Sequence, residues 1–370
     1  MGAFRMAGAL PGSQFVARVE RQREDVGPPP ATWQAIGQAL ALQPASDPGT
    51  PADLCIRLTD ALPPRRADAT RLREDARGTV WQHASGQHAS GWRVERASHA
   101  ARIDGDVPRA TLAVGHAASE QAQALWAHAF RDVLTLLLPR TGWIPLHAAA
   151  TCLPDPDADS QHTDSRRAVL LVGPSGCGKS TLTTGLLLRG WRCISDDMLV
   201  LSPPAETAPM RVHSLAQNIH VCVDAWERLK LNAPMHAASD SLFGQFTERA
   251  KRLLTRQALP DNERFAAHPD AHPEAHRSPH ALPHCIVLPT ITDAPTSRLT
   301  PASPADALTA LMEQGVPPAL LPASAARTQW QQMGRLIRQC ATYRLHAGRD
   351  LYHDPGHLAT LLHKSADVSV

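Results

Sequence analysis

The sequence has few aromatic residues, little net charge, no paired cysteine motif and no long apolar run. Lysine and arginine number 37 against 35 aspartate and glutamate residues, which gives a formal net charge of +2. A balance this close to zero creates no field over the whole protein that would attract a nucleic acid or an anionic membrane. We therefore expect neither of them as a partner.

The cysteines and the N-terminus indicate where the chain works. Seven cysteines, an odd number without a C-x-x-C pair, fit neither a disulfide framework nor a zinc knuckle. The first residues contain no apolar run long enough for a signal peptide, and later apolar segments are broken within a few residues by Gly, Arg or Pro. Together these features predict a cytoplasmic chain with reduced thiols.

The 370 residues, 43% of them hydrophobic, are enough for two domains. In the first 50 residues the density of proline argues against regular structure beyond one short helix near residues 32–42. Short alternating runs then predict strands, and Ser119 begins a helical pattern that ends before Pro139. We expect a small α+β region over residues 1–140, with strands at residues 55–58, 79–81, 92–94 and 111–114.

Strands and helices alternate in the second half of the chain, which predicts an α/β domain over residues 141–370. A polar tract at residues 153–167 separates two strands and is interpreted as a hairpin insertion. We predict strands at residues 143–148, 168–172, 193–195, 199–201, 285–289 and 342–345, and helices at residues 179–189, 304–314, 329–340 and 355–363.

Histidines recur every fourth residue between positions 268 and 284. On a helix this spacing would place five imidazoles on one face, as a metal site requires, but prolines at positions 269, 273, 279 and 283 are incompatible with that helix. The composition favours a low-complexity surface loop, and metal binding there is left open.

One motif carries a specific chemistry. Its residues match G-x-x-x-x-G-K-[ST], with an apolar strand before it and a helix after it. Backbone N–H groups converge on a phosphate in such a loop, Lys179 would bridge the β- and γ-phosphates, and the Ser180 hydroxyl would bind Mg²⁺. The predicted ATP-binding residues are Gly173, Pro174, Ser175, Gly176, Cys177, Gly178, Lys179, Ser180 and Thr181.

Two adjacent carboxylates, Asp196 and Asp197, follow one helix and one strand after the loop. The carboxyl end of a strand faces the ligand crevice in an open α/β sheet. A pair at this position can hold Mg²⁺ with one carboxylate and approach an acceptor hydroxyl with the other. The alternative is a polar turn after a buried strand.

The run from the glycine-rich motif through Asp196 and Asp197 to the strand at residues 199–201 resembles the kinase core of the HPr kinase family, which shares its fold with phosphoenolpyruvate carboxykinase. The resemblance extends to Leu146, His147 and Ala148 before the motif, and more weakly to residues 286–289 and 343–345. It implies an HPr kinase-like P-loop domain over residues 141–370 and an ATP- and Mg²⁺-dependent serine kinase.

The resemblance also implies roles for individual residues. Asp196 is the candidate general base that takes the proton of a seryl hydroxyl, Asp197 and Ser180 are the candidate Mg²⁺ ligands, and His147 lies near the phosphates. Lys179 completes the catalytic set. Related kinases act on ribosomal peptides such as lasso-peptide precursors, so the expected partner is a protein or peptide bearing a serine. A homo-oligomer is left open.

The sequence departs from the HPr kinases proper in two places. The tract at residues 153–167 lengthens the hairpin, and Thr181 stands where those enzymes usually have an acidic residue. Their C-terminal signature, which serves the phosphorylase direction, is not found. These differences argue against the bifunctional enzyme.

Other interpretations remain open at this stage. A small-molecule P-loop kinase and a nucleotide-binding regulator without catalysis both fit the loop, whereas an ABC-type ATPase is disfavoured because no LSGGQ-like signature follows. His147 also fits a satisfied histidine at a strand end. Lys251 and Arg252 form a basic cluster that would neutralise a transferred phosphate, or else the solvated face of a helix.

Overall fold

Two mixed β-sheets organise the chain, each in a separate unit. In the computed structural model the first unit comprises Met1–Pro145 and Val316–Gln331, and the second comprises Leu146–Gly315 and Gln332–Val370. We predicted a boundary between residues 140 and 141. The first change of unit comes after Pro145, in β10 (Ile144–Leu146), and the segment Val316–Gln331 returns to the first unit. The mixed α/β fold class is as predicted.

The structure describes residues 2–6, 16–22, 28, 33, 42–44, 52–75, 78–85, 88–97, 99–105, 107–114, 119–152, 166–203, 209–215, 220–222, 225, 227, 229, 251–253 and 280–366. The predicted hairpin tract lies almost entirely outside these residues, although the two strands that flank it do pair antiparallel.

The first unit contains a nine-stranded sheet in the order β3-β1-β2-β4-β9-β8-β7-β6-β5. Strands β2, β4 and β9 are mutually parallel neighbours, and the other neighbours are antiparallel. The strands are β1 (Gly2–Met6), β2 (Val16–Arg21), β3 (Leu42–Pro44), β4 (Leu54–Leu58), β5 (Thr70–Asp75), β6 (Gly78–Ser85), β7 (His88–Glu95), β8 (His99–Asp104) and β9 (Arg109–Val114).

Alternation of apolar and polar residues gives this sheet two different faces. Leu54, Ile56 and Leu58 of β4 are buried, whereas Arg57 between them is exposed. The apolar face is covered by α1 (Ser119–Leu137), which packs on β8 and β9 through residues such as Phe130. The four strands and the helix that the sequence predicted in this region are confirmed.

The expectation for the first 50 residues is corrected. Three strands, β1, β2 and β3, are present where irregular chain was expected. Pro44 lies in β3, the last described strand at its side of the sheet, and proline is tolerated in such edge strands. Of the predicted helix at residues 32–42, Trp33 is helical and Leu42 belongs to β3, while the residues between them lie outside the described part.

The second unit contains the other large sheet and a separate pair of short strands. In the large sheet β15, β18, β12, β11 and β13 are successive neighbours, and β20 pairs with both β18 and β19. The strands are β11 (Ala148–Cys152), β12 (Arg167–Val172), β13 (Arg192–Ser195), β14 (Leu199–Leu201), β15 (Val212–Ser214), β16 (His220–Cys222), β17 (Lys251–Leu253), β18 (His280–Ile291), β19 (Arg298–Pro301) and β20 (Ala341–Ala347).

Strand directions decide which chain segments meet. Strand β12 is parallel to β18, and β18 is parallel to β20. Strand β11 is antiparallel to both β12 and β13, so β12 and β13 run the same way. Four strands, β12, β13, β18 and β20, therefore end at the same end of this sheet, and β11 begins there. We call it the carboxyl end.

The helices support this sheet. Helix α2 follows β12 and packs on α6 around Leu182, Leu186, Trp191 and Leu358. No described helix is both long and apolar enough to cross a membrane. The helices after α1 are α2 (Lys179–Leu187), α3 (Pro304–Gln314), α4 (Ala323–Gln339), α5 (Arg349–His353) and α6 (His357–Ala366), with 3-10 turns at Leu138–Thr141 and Pro318–Leu320.

Two predicted elements of the second half have different forms. The expected strand at residues 143–148 is two strands, β10 and β11, separated at His147. The break arises because the His147 N–H donates to the carbonyl of Gln314 at 2.9 Å rather than to a neighbouring strand. The expected helix around Lys251 and Arg252 is replaced by strand β17, which pairs with β16.

The histidine-rich segment is corrected at its end. His280 and His284 belong to the long strand β18, and His280 is only 2% exposed. Pro283 is tolerated inside this strand because the register with β12 shifts directly after it, as at a bulge. The rest of the segment lies outside the described residues.

Two buried imidazoles predict acid sensitivity. His213 in β15 is fully buried beside His280, with 5.6 Å between ring centroids, and burial, followed by His280 and Arg211, lowers its pKa from 6.5 to about 3. The unfolded chain takes up a proton near pH 6.5 that the folded chain excludes until about pH 3, so stability falls as the pH falls through this window.

We expect His213→Phe to reduce the pH dependence of the unfolding free energy by about 1.4 kcal/mol per pH unit between pH 6 and pH 4. Urea unfolding at a series of pH values measures it. The exposed His353 is the matched control, and His353→Gln should leave the slope unchanged. An unchanged slope in the His213 variant would contradict the assignment.

Candidate functional site

The glycine-rich loop (residues 173–178) leads from the buried strand β12 into helix α2 at the carboxyl end. Gly176 and Gly178 have φ angles of 86° and 95°, a region that side chains disfavour. Gly173 has a different constraint, because a Cβ there would lie 3.0 Å from the Sγ of Cys177. Gly176 and Gly178 are therefore favoured by the backbone conformation of the loop, and Gly173 by its close approach to Cys177.

Lys179 folds back over this loop. Its Nζ donates to the carbonyl of Gly173 at 2.8 Å and to that of Pro174 at 3.2 Å, and the residue is only 7% exposed. An ammonium group is thus held against the backbone at the first turn of α2. The strand before the loop and the helix after it are as predicted.

The start of α2 is suited to an anion. Gly178 is its N-cap and has no side chain that could cap the first turn, and the Lys179 N–H lies against the Cys177 thiol. The helix dipole and the Lys179 ammonium add positive potential at the same place. Ser180 and Thr181, in the first turn, are partly buried, whereas Pro174 and Ser175 are exposed.

Burial also determines the state of the loop cysteine. Cys177 is 9% exposed, and desolvation raises the pKa of its thiol above the ordinary value even though Lys179 acts in the opposite direction. The side chain is therefore a neutral thiol that packs beneath Gly173.

The two predicted carboxylates stand at the same end of the sheet. Asp196 and Asp197 directly follow β13, whose Ser195 faces Ala150 of β11. The Ser195 hydroxyl donates to the carbonyl of Met198 at 2.7 Å and closes the turn. Asp196 is 2% exposed, whereas the side chain of Asp197 is 31% exposed, so the carboxylates have different surroundings.

His147 contacts Asp197. The residue precedes Ala148, which faces Val172 at the end of β12, and its Nε2 lies 3.1 Å from Oδ1 of Asp197. The sequence predicted both residues for the site, and the structure places them in direct contact. His147 is thus a strand-end histidine with satisfied partners, and it also belongs to the cluster at the carboxyl end.

Sequence reasoning missed Gln314, the third member of this contact. Its Oε1 lies 3.1 Å from Nδ1 of His147, and its carbonyl accepts the His147 N–H. Gln314 is the last residue of α3, which was predicted, but no local signal relates it to a residue 167 positions earlier. The two contacts fix the imidazole ring with Nε2 towards Asp197.

Both ring nitrogens of His147 thus face an oxygen atom. A neutral imidazole has one N–H, so donation to both oxygens requires the protonated ring. A neutral ring that donates to Asp197 through Nε2 would instead accept at Nδ1 from the NH₂ group of Gln314. This requires the Gln314 amide to be rotated by 180°. In both of these forms the proton on Nε2 can be donated to Asp197, which would keep that carboxylate oriented.

The donors near the loop suit a hard divalent cation bound together with phosphate. The Ser180 hydroxyl and the Asp197 carboxylate are oxygen ligands of the kind that Mg²⁺ prefers, and Mg²⁺ commonly takes one or two carboxylates plus phosphate oxygens and water. Within the described ranges, no three His, Cys, Asp or Glu residues form a group that would hold a metal ion alone.

The remaining candidate is the basic pair Lys251 and Arg252. Both lie in β17, and the structure describes their backbone only, so a role in neutralising phosphate stays a prediction.

Comparison with known proteins adds no assignment. No protein-family model matches the chain, and a search of curated proteins finds no significant match.

A pair of glycines tests the anion site. Gly178 (φ 95°) and Gly190 (φ 86°) both have open space around the position of a Cβ, and Gly190 lies in the turn after α2. Alanine at either position should cost about 1–2 kcal/mol of unfolding free energy through backbone strain. We expect only Gly178→Ala to weaken the binding of inorganic tripolyphosphate, by about tenfold or more, as measured by calorimetry.

Equal binding by the two variants would mean that the loop does not hold the anion. Equal losses of stability serve as the internal check that both substitutions impose the same strain.

Proposed function

We propose that this protein is an ATP-dependent serine kinase that transfers the γ-phosphoryl group to a seryl hydroxyl of a protein or peptide. The observation that carries the proposal is the joint placement, at the carboxyl end of one sheet, of the glycine-rich loop, the adjacent Asp196 and Asp197, and His147. The resemblance of the same residues to the HPr kinase family supports the reaction type and the P-loop kinase core.

In this proposal the loop and Lys179 hold the nucleotide. The N–H groups at the start of α2 would bind the β-phosphate, and the ammonium group of Lys179 would exchange its loop carbonyls for β- and γ-phosphate oxygens. Catalysis of phosphoryl transfer depends mainly on positioning and charge neutralisation, which the loop and Lys179 would provide.

The two aspartates would have different roles. Asp196, the more buried carboxylate, would accept the proton of the seryl hydroxyl. At the same time the seryl oxygen would bond to the γ-phosphorus, and the bond between the γ-phosphorus and the oxygen that leaves with ADP would break. Asp197 and Ser180 would hold Mg²⁺, which neutralises negative charge on the phosphate oxygens. His147, held by Gln314, would keep Asp197 in one orientation.

The direct test is transfer from γ-labelled ATP with Mg²⁺ to serine-containing peptides encoded beside the gene, with intact-mass detection. We expect a gain of one phosphate that is absent with Lys179→Ala. Asp196→Asn should lower the transfer rate by about 10²- to 10⁴-fold while nucleotide binding changes little.

Normal turnover by Asp196→Asn would contradict its assignment as the base. Phosphorylation of small alcohols without any peptide would favour the small-molecule kinase, and ATP binding without transfer to any acceptor would favour a non-catalytic regulator.

Gln314 provides a separate test of positioning. Gln314→Ala removes the side-chain contact to His147 but keeps the backbone one, so we expect kcat to fall by about tenfold with an unchanged KM for ATP. Gln314→Glu, which retains the acceptor oxygen, should restore most of the rate. The exposed neighbour Glu313 is the control, and equal rates for Glu313→Ala and Gln314→Ala would refute the role.

A further inference from the structure

The polar face of the first sheet carries a row of polar and aromatic side chains in which arginine predominates. This face lies opposite the one that α1 covers, since Thr111 alternates with the buried Ala110 and Leu112. Paired residues of successive strands run across it from β2 to β5, so their side chains form one continuous row. The row consists of Glu20, Arg57, Thr111, Arg102, Arg93, Trp81 and Arg71.

An open cavity of about 580 Å³ lies over the centre of this row. Its lining includes Arg57 and Arg102, the hydroxyls of Thr59 and Thr111, and the apolar side chain of Leu62. Among the described residues that line it, none is an aspartate or glutamate. The cavity therefore combines two cations, hydroxyl groups and an apolar wall.

The wall of the cavity is fixed in place. Arg93 donates to the carbonyl of Pro63, and the guanidinium group of Arg65 lies 3.8 Å from the ring centroid of Trp81. The Thr59 hydroxyl contacts Gln22 Oε1 at 2.5 Å and the carbonyl of Ala61 at 3.1 Å. These contacts hold the segment after β4 over the sheet, so the cavity is preorganised. Ligand binding would therefore cost little entropy for ordering the cavity wall.

The two arginines of the cavity are only weakly engaged. Arg57 lies 3.3 Å from Glu20 and Arg102 lies 3.5 Å from Asp104, and their side chains are 54% and 46% exposed. Exposed pairs of this kind contribute at most about 1 kcal/mol, and a guanidinium group has five N–H donors. Arg57 and Arg102 can thus bind a further anion at little cost, whereas Arg93 is held by Glu95 at 2.6 Å and by the cavity wall.

We infer that this cavity binds an extended acidic peptide segment through Arg57 and Arg102. The two residues stand on β4 and β8 with β9 between them, which separates their backbones by about 10 Å. Acidic side chains two residues apart on an extended peptide point to the same face and are separated by about 7 Å, a distance that two long arginine side chains on backbones about 10 Å apart can match. Arginine suits this task because its planar fork binds a carboxylate through two parallel hydrogen bonds.

The apolar wall and the wide opening also fit a peptide. Leu62 and Pro63 would contact the aliphatic parts of its side chains, and the open cavity lets the chain enter and leave on either side. The inference concerns the first unit alone and does not depend on the proposed kinase activity.

The experiment is fluorescence anisotropy with the full-length protein and a labelled peptide in which glutamate and serine alternate. The same peptide with glutamine in place of glutamate is the uncharged probe. We expect the acidic peptide to bind at least about tenfold more tightly than the uncharged one, and its affinity to fall as salt is added.

Variants assign the binding to the cavity. The double variant Arg57→Gln, Arg102→Gln should lose about tenfold or more in affinity, and Arg57→Lys with Arg102→Lys should lose less because charge remains without the fork. Arg71→Gln, at the far end of the same row, is the control and should bind like the original protein. Thermal unfolding confirms that each variant is folded.

Two results would overturn the inference. One is unchanged affinity in the folded double variant. The other is that inorganic phosphate or a short oligonucleotide binds more tightly than the acidic peptide and depends on the same two arginines, which would assign the cavity to a phosphate group.

Discussion

The direction of five strands is the constraint on which the candidate site depends. Because β11 is antiparallel to both of its neighbours, β12 and β13 end together and β11 begins beside them. The glycine-rich loop, the carboxylates of residues 196 and 197, and the imidazole of residue 147 each lie within a few residues of such a strand end. Reversal of any one strand would carry its polar group to the opposite end of the sheet.

The local chemistry of the site is built on this arrangement. Positive potential is concentrated at the start of α2, where the helix dipole and a buried ammonium group adjoin a loop whose Gly176 and Gly178 have positive φ angles. Negative charge is supplied from the neighbouring turn after β13, and one of its two carboxylates is held by a histidine. A glycine-rich loop at a helix N-terminus beside two carboxylates would suit a polyphosphate together with a hard cation.

Local patterns were sufficient to predict much of this structure. The apolar run before the loop, the glycine spacing and the helical pattern after it are short-range signals, so β12, the loop and α2 were predicted close to their observed bounds. The carboxylates could be placed as well, because a strand that follows a crossover helix commonly ends beside the loop. Helix α3 was predicted with its observed bounds, and the structure shows a Ser303 capping box, a local signal, at its start.

Features that depend on distant partners could not be predicted. Strands β1 and β3 exist because they pair in register with chain segments well separated in sequence, and Pro44 is tolerated only because of its place at the side of the sheet. Strand β18 begins earlier than expected because a register shift accommodates Pro283. The contact between Gln314 and His147 joins residues 167 positions apart in the sequence, and no local pattern at either position predicts the other residue as its partner.

The central claim is that the loop, Lys179 and the aspartate pair form one phosphoryl-transfer centre. The most direct measurement is a crystal structure of the protein with Mg²⁺ and a non-hydrolysable ATP analogue. We predict that the phosphates lie along the loop, with the γ-phosphate against Lys179, the metal on Asp197 and Ser180, and Asp196 facing the γ-phosphorus across a gap wide enough for a hydroxyl group. A nucleotide bound elsewhere, or a γ-phosphate out of reach of both aspartates, would contradict the claim.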